Sequence, residues 1–203
     1  MSLYKKLFAH GLALGDEAQH RLYGDRKRQL FADLKGTVVE IGPGTGVNLP
    51  YLPDHIRWIG LEPNPHMHDL LRPKLEGRDI EAELRTNPAQ ATGLPDASVD
   101  AVISTLVLCS VPHLDETLAE IRRILRPGGR LYFIEHVAAE PGRWLRWLQS
   151  GIRPIWQPLA DGCRPDRDTG TALDQAGFTE VDYERFDSGV PIVAPHIIGT
   201  AMR

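Results

Sequence analysis

"TVVEIGPGTGVN", residues 37–48, joins a β-branched run to a loop with three closely spaced glycines. The run "TVVEI" is typical of a buried strand, because β-branched side chains fit a pleated sheet. The loop after it contains Gly42, Gly44 and Gly46. Glycines let the bare backbone approach a ligand closely, and a helix that begins after such a loop directs its free N–H groups at an anion or a polar ligand. The stretch therefore predicts the first strand of an α/β fold and a ligand-binding loop.

Strands and helices are expected to alternate along the rest of the chain. Apolar and β-rich runs predict further strands at 56–62, 80–85, 98–109, 130–136, 179–186 and 196–203. Helical spacing of apolar residues predicts helices at 16–34, 65–77, 113–129 and 169–178, and residues 138–168 are expected to be irregular and partly helical. This alternation indicates βαβ units, so we expect an α/β, doubly wound, largely parallel sheet with helices on both faces.

Composition narrows the possible partners and compartments. A chain of 203 residues is long enough for one domain with a sizeable core. The net charge of -4 gives no reason to expect a nucleic-acid partner. Cys109 and Cys163 are the only cysteines, which predicts a reducing, cytoplasmic compartment without disulfides. No His, Cys or Asp cluster has ligand spacing, so the sequence predicts no metal site.

The start of the chain leaves peripheral membrane contact open. No segment approaches the roughly 20 apolar residues that span a bilayer, and "MSLYKKLFAHGLALG" is too short, with His10 in its apolar run, for a secretion signal. A membrane-surface helix would combine apolar side chains with a basic pair. The residues concerned are Leu3, Lys5, Lys6, Leu7 and Phe8.

Two carboxylates indicate what the glycine loop binds. The loop has neither the Gly-x-Gly-x-x-Gly spacing of dinucleotide-binding proteins nor the Gly-Lys-Ser/Thr of a P-loop. Glu62 ends the second strand about 20 residues after Gly42, where a carboxylate can accept both ribose hydroxyls. Glu40 lies inside the first strand and needs a partner or a cationic ligand, such as the α-ammonium of an amino acid. Ribose and ammonium without a phosphate describe S-adenosylmethionine, although a tight turn and a solvated Glu62 are the structural alternatives.

Four motifs resemble those of class I S-adenosylmethionine-dependent methyltransferases. They are "VVEIGPGTGVN", "GLEPNP", "ATGLPDASVDAVIS" and "ILRPGGRLYFIEH", within residues 37–136. The resemblance implies a Rossmann-like, seven-stranded sheet with the last strand antiparallel and with helical cap segments. The expected parts of this single domain, residues 1–203, are an N-terminal helical lid at 1–35, a cofactor-binding core at 37–136, a substrate cap at 138–168, and a closing helix and strands at 169–203.

The resemblance also implies a role for individual residues. Glu40 is expected near the methionyl ammonium, the three glycines under the methionyl chain and ribose, and Thr105 beneath the methionyl chain. Glu62 matches the ribose-binding acid, and Pro63 and Asn64 follow it in the same motif. Gln90 takes the place of the family's adenine-binding Asp, whose bond a Gln carbonyl oxygen can also accept. The N–H group of Ala91 is expected to donate to the adenine ring.

A closer resemblance covers nearly the whole chain. "STLVLCSV", "FIEHVA", "PIWQPLADGCRPDRDT" and "APHIIG" are similar to the methyltransferase-like 7 group of membrane-associated alkyl thiol methyltransferases. In that group a hydrophobic anchor precedes the domain, and we expect this chain to lack it. The resemblance implies S-methylation of small hydrophobic thiols, with hydrogen sulfide as a further acceptor and S-adenosylhomocysteine as the product. A lipid head-group or quinone methyltransferase and a non-catalytic cofactor-binding module are the alternatives.

A thiol acceptor needs to lose its proton, because the thiolate is the nucleophile and a free thiol has a pKa of about 8.5. A histidine or a carboxylate near the carboxyl ends of the strands can take that proton. The candidate catalytic residues are Glu135, His136, Asp161 and His196. Backbone hydrogen bonds, a strand cap or a turn are their structural alternatives.

The segment 138–168 carries Trp144, Trp147 and Trp156. Large aromatic rings over the carboxyl edge of a sheet can wall an apolar pocket. We therefore expect the three rings to cover a small hydrophobic acceptor; the alternative is that they only pack the segment onto the core.

Overall fold

The computed structural model describes residues 3–203, and the first two residues of the predicted lid, Met1 and Ser2, lie outside the described residues. The described chain forms seven strands and six α-helices. The strands are β1 Thr37–Ile41, β2 Arg57–Leu61, β3 Glu81–Arg85, β4 Val99–Thr105, β5 Leu125–His136, β6 Glu180–Asp187 and β7 Pro195–Met202. The helices are α1 Leu3–Leu14, α2 Asp16–Leu30, α3 Pro65–Glu76, α4 Leu114–Ile124, α5 Trp144–Leu159 and α6 Thr169–Gln175.

All seven strands join one sheet in the order β3-β2-β1-β4-β5-β7-β6. Strand β7 runs antiparallel to both β5 and β6, whereas the pairs from β3 to β5 are parallel. The predicted doubly wound α/β sheet with an antiparallel last strand is confirmed. The strand order reverses between β1 and β4, and the crevice at the carboxyl ends of such a pair is where open α/β sheets bind ligands.

Successive residues of the central strands pack on opposite faces of the sheet. Val38 and Trp58 belong to a core that includes Leu71 of α3. Their neighbours Val39 and Ile59 belong to the other core, together with side chains of α4 and α6. Burial on both faces explains why these strands are almost continuously apolar in the sequence.

The fourth strand is shorter than the sequence predicts. The apolar run extends to 109, but β4 ends at Thr105 because Leu106 has a left-handed φ of 58°. The carboxylate of Glu135 stabilises the turn by accepting hydrogen bonds from Ser104 Oγ at 2.6 Å and from the amides of Val107 and Leu108 at 3.1 Å. A buried carboxylate thus directs the chain away from the sheet and towards its carboxyl edge.

The predicted tryptophan wall is wrong for two of its three rings. Trp144 and Trp147 of α5 are 72% and 78% exposed, and of the three only Trp156 reaches the large cavity at the sheet's carboxyl edge. Trp147 and Trp156 lie about two and a half turns apart on one helix, so their side chains point in opposite directions. The sequence predicts an irregular, partly helical segment here, but the regular helix α5 directs these rings to different sides.

None of the helices within residues 3–203 combines the length and the hydrophobicity needed to cross a bilayer.

Helix α2 contacts strand β7 through a buried hydrogen bond. Nδ1 of His196 donates to the carbonyl oxygen of Ala194 at 3.0 Å, which leaves Nε2 to accept from the hydroxyl of Tyr23 at 2.9 Å. Burial lowers the pKa of His196 to about 4. The neutral ring is therefore part of the folded structure.

His196 should make the stability of the protein depend on pH. Its folded-state pKa of about 4 lies below the ordinary value of 6.5, so the unfolded chain binds more protons between these values. The stabilisation from the neutral ring is fully present above pH 6.5 and is lost as the pH falls towards 4. In urea unfolding at a series of pH values, His196→Gln should flatten this slope. His55→Gln, at an exposed histidine, should keep the wild-type slope; an unchanged slope in His196→Gln would contradict the prediction.

Candidate functional site

A cavity of about 470 Å³ lies at the carboxyl ends of the central strands. The glycine loop after β1, Glu62 after β2, Thr105 at the end of β4 and His136 at the end of β5 all line it. Its volume is within the range of small-molecule sites, and its position is the switch point of the sheet. The predicted ligand-binding edge therefore coincides with a cavity whose lining is mainly apolar.

The first part of the glycine loop needs residues without side chains. Gly42 and Gly44 have left-handed φ values of 57° and 56°. A Cβ atom on Gly42 would lie 2.7 Å from the Val107 side chain, which is too close for any ordinary contact. Glycine thus lets this loop and the segment after β4 approach each other around the cavity.

Glu62 binds the glycine loop and keeps two acceptor positions free. Its Oε2 accepts from the amide of Gly44 at 3.0 Å, and its Oε1 accepts from the amide of Asn64 at 2.8 Å. A carboxylate can accept about four hydrogen bonds, so about two positions remain for hydroxyl donors in the cavity. Burial raises the pKa of Glu62, although both amides oppose that shift by favouring the charged form.

Glu40 lies behind the cavity wall. Its two oxygens accept from Asn48 Nδ2 at 2.8 Å and from Trp58 Nε1 at 2.9 Å. Asn48 also donates to Thr105 Oγ1 at 3.0 Å and lines the cavity itself. Burial raises the pKa of Glu40. In this conformation Glu40 acts on the cavity through Asn48.

Two buried acceptors beside the cavity fit a cationic ligand. Asn48 Oδ1 and Gln19 Oε1 have no hydrogen-bond partner in the described part of the chain, and both residues line the cavity. A buried oxygen without a donor costs about 1–3 kcal/mol, and an ammonium group in the cavity is a donor suited to such an acceptor. The residues present therefore fit the amino-acid end of S-adenosylmethionine. The sequence interpretation missed both: Asn48 ends the glycine motif, but Gln19 lies on a helix without any local signal.

The residues expected around adenine lie elsewhere. Gln90 and Ala91 belong to the loop after β3 and do not line the cavity. The amide of Ala91 donates to the carbonyl of Pro88 at 3.0 Å. Pro63 lines the cavity, whereas the side chain of Asn64 caps α3 by accepting from the amide of His66. The adenine contacts of Gln90 and Ala91 stay predictions.

The structure brings two of the four acid–base candidates to the cavity. His136 and Asp161 line it. Glu135 and His196 do not: the carboxylate of Glu135 binds the loop after β4, and both ring nitrogens of His196 are hydrogen-bonded. Asp161 adopts a left-handed φ of 46°, a costly conformation for a non-glycine residue that often marks functional loops.

Both cysteines meet His136 at one end of the cavity. His136 Nε2 lies 2.9 Å from Cys163 Sγ, and Trp156 Nε1 donates to the same sulfur at 3.2 Å. The neighbouring Cys109, together with His136 and Trp156, lowers the pKa of Cys163. The sequence predicts no metal site, yet the ligand atoms of Cys109, His136 and Cys163 lie within 4.8 Å of one another. No short motif reveals them, because 27 residues separate His136 from Cys163.

Helices α1 and α5 cover the cavity together. Phe8 and Leu12 of α1 line it, as does Trp156 of α5. The hydroxyl of Tyr4 donates to the Pro158 carbonyl oxygen at 3.0 Å and accepts from the amide of Asp161. This tyrosine links the N-terminal helix to the segment that follows β5.

Comparisons with known proteins agree with this geometry. The model of the methyltransferase domain matches residues 39–133, and that of the anamorsin N-terminal region matches residues 87–185. Human thiol S-methyltransferase TMT1B is 36% identical, over 99% of this chain and 88% of that protein. Human thiol S-methyltransferase TMT1A is 34% identical, over 98% of this chain and 87% of its own length.

A solved structure supports the fold. A chain of the complex between the Haloferax volcanii Trm112 methyltransferase activator and a methyltransferase matches with a TM-score of 0.74. It is 19% identical, and the match covers 100% of this chain and 98% of that one. With the motifs, the sheet order and the two human relatives, the chain belongs to the family of class I S-adenosylmethionine-dependent methyltransferases that includes TMT1A and TMT1B.

Proposed function

We propose that this protein binds S-adenosylmethionine in the cavity and methylates small hydrophobic thiols, with hydrogen sulfide as a further acceptor. The observation that carries the proposal is the near full-length similarity to two thiol S-methyltransferases. The cavity supports it, because polar groups suited to the cofactor and an apolar end share one space. When bound, S-adenosylmethionine supplies an electrophilic methyl group on a sulfonium sulfur and leaves as S-adenosylhomocysteine.

The polar end of the cavity would bind the cofactor. Glu62 has acceptor positions left for the ribose hydroxyls, and Gly42, Gly44 and Gly46 give the loop its close approach. Asn48 and Gln19 would accept from the ammonium group through their unpaired oxygens, with Glu40 adding negative charge behind Asn48. Thr105 orients Asn48 by accepting one of its N–H groups. Gln90 and Ala91 are proposed to contact adenine, and Pro63 and Asn64 to position Glu62.

The apolar end of the cavity would bind the acceptor. Leu106, Trp156 and Val193 contribute apolar lining, which favours a small uncharged thiol over a charged or phosphorylated acceptor. His136 and Asp161 are the residues that can receive the thiol proton. Helix α1 and the segment 138–168 would act as lid and cap, since both must separate or reshape for ligands to exchange.

Peripheral membrane contact and a cytoplasmic location complete the proposal. Both cysteines are free, which suits a reducing compartment. Exposed apolar side chains cluster on the two covering helices: Leu3, Leu7 and Leu14 on α1, and Trp144, Trp147, Leu148, Ile155 and Leu159 on α5. Lys5, Lys6 and Arg143 lie on or beside these helices and would favour an anionic lipid surface.

Glu62→Ala should weaken binding of S-adenosylhomocysteine by at least about tenfold in calorimetry, since hydrogen bonds to a charged group contribute about 1.5–3 kcal/mol each. Glu62→Gln keeps one acceptor oxygen and should lie between the wild type and Glu62→Ala. Glu76→Ala, at an exposed glutamate on α3, should bind as the wild type does. Wild-type protein that binds NAD but no S-adenosylhomocysteine would overturn the cofactor assignment; unchanged affinity in Glu62→Ala would mean that other residues bind the ribose.

The acceptor can be identified with methyl-labelled cofactor and a panel of alkyl thiols, amines, phenols, quinols and phospholipids. We expect thioethers from the thiols, and a rate that rises with pH until the bound thiol is ionised. If Asp161 receives the proton, Asp161→Asn should shift this rise to higher pH, while Asp69→Asn, at an exposed aspartate on α3, should not. Products from lipids or quinols, and none from any thiol, would reject the thiol proposal but keep the methyltransferase assignment.

Membrane contact can be measured by co-sedimentation with vesicles of phosphatidylcholine and phosphatidylserine. The wild type should bind anionic vesicles, and Trp144→Ser with Trp147→Ser should reduce the bound fraction severalfold, because both rings are exposed. Glu184→Ser, at an exposed position on β6, serves as the control. Equal sedimentation with and without vesicles would reject the contact.

A further inference from the structure

Three segments bring two cysteines and a histidine together in the wall of the cavity. Cys109 lies in the loop after β4, His136 ends β5, and Cys163 follows α5. Their ligand atoms all lie within 4.8 Å of one another, and the side chains are 1%, 4% and 8% exposed. All three residues line the cavity of the cofactor site. The cluster is therefore buried against the protein and open to the ligand space.

The chemistry and the spacing of the cluster suit zinc. Two thiolates and an imidazole are ligands that Zn²⁺ prefers, at about 2.3 Å for sulfur and about 2.0–2.1 Å for nitrogen. Tetrahedral geometry with these bonds places nitrogen and sulfur about 3.5 Å apart. His136 Nε2 and Cys163 Sγ lie 2.9 Å apart, so a small side-chain rotation would admit the ion.

Neighbouring groups position the ligands. Trp156 Nε1 donates to Cys163 Sγ at 3.2 Å, as donors around metal-bound thiolates do. Glu135 fixes the loop that carries Cys109 by accepting from its amide and those of Val107 and Leu108. Nδ1 of His136 is buried and has no hydrogen-bond partner within residues 3–203. Apart from the contact with Cys163, no hydrogen bond therefore fixes the imidazole.

We propose that Cys109, His136 and Cys163 bind one Zn²⁺ ion, and that a fourth coordination position facing the cavity binds the acceptor thiol as a thiolate. The second half rests on the proposed thiol methylation. Three protein ligands and one open position are the arrangement of catalytic rather than structural zinc sites. In this role His136 is a zinc ligand, which leaves Asp161 as the proton acceptor of the cavity.

The reaction then balances in protons and electrons. The thiol S–H bond breaks on coordination, because a thiol bound to the ion is deprotonated, and the carboxylate of Asp161 passes the proton to water from its exposed position. The thiolate sulfur forms the bond to the methyl carbon. The bond from that carbon to the sulfonium sulfur breaks, and its electron pair stays on the sulfur of S-adenosylhomocysteine.

Metal binding can be tested without any methyl transfer. The protein is purified under reducing conditions, and a chelator removes any bound metal. Zn²⁺ affinity is then measured by competition with a chelating dye, and Co²⁺ binding by the absorption spectrum of the complex. We expect one ion per chain and a sulfur-to-cobalt charge-transfer band. Cys109→Ser, Cys163→Ser and His136→Ala should each weaken binding by more than about a hundredfold, beyond the 10–100-fold effect of outer groups. Trp156→Phe should weaken it about tenfold, and His55→Ala should not.

Two further measurements separate the outcomes. Calorimetry with S-adenosylhomocysteine shows whether each variant is folded, since none of the three residues is among those proposed to bind the cofactor. Reduced protein that binds S-adenosylhomocysteine but neither Zn²⁺ nor Co²⁺ would overturn the proposal. A Cys109–Cys163 disulfide in place of a bound metal would also overturn it. A Co²⁺ band that changes when an alkyl thiol is added supports the open position; an unchanged band rejects thiol coordination. If the protein binds metal but methylates no thiol, the metal site is supported and the proposed thiol methylation is rejected.

Discussion

Buried carboxylates at the sheet's carboxyl edge organise this protein. Glu62 accepts from the amides of Gly44 and Asn64, and Glu135 accepts from successive amides of the loop after β4. Glu40 accepts from Trp58 and Asn48. A buried charge is tolerated only when donors satisfy it, and hydrogen bonds to an ionised acceptor are the strong ones. Glu62 and Glu135 therefore each fix the loop that follows a neighbouring strand, and these loops line the cavity.

The cavity divides by chemistry into two ends. The glycine loop, Glu62 and Asn48 provide acceptors and close backbone approach, which suit the polar cofactor of this methyltransferase family. Leu106 and Trp156 provide apolar contacts beside His136 and the two cysteines. An electrophilic methyl group and a soft nucleophile could meet between them, with water reduced by the two covering helices.

The two covering helices, α1 and α5, have one side that lines the cavity and another that is exposed. Their inner side contributes Phe8, Leu12 and Trp156 to the cavity, and Tyr4 joins them through Pro158. Their outer side exposes Trp144 and Trp147. The same two helices therefore carry both the exposed tryptophans and part of the cavity lining.

The sequence by itself determined the local features: "TVVEI", the three glycines and Glu62 mark the first strand, the loop after it and the end of the second strand. Alternating patterns determined the α/β class, and the family resemblance supplied the seven-stranded sheet with its antiparallel last strand. Only the tertiary structure decided the rest. Glu135 and His196 do not line the cavity, because their hydrogen bonds are made elsewhere. Gln19 and the cluster of Cys109, His136 and Cys163 do line it. Such groups come from separate segments, and packing, which has no fixed period in the sequence, is what brings them together.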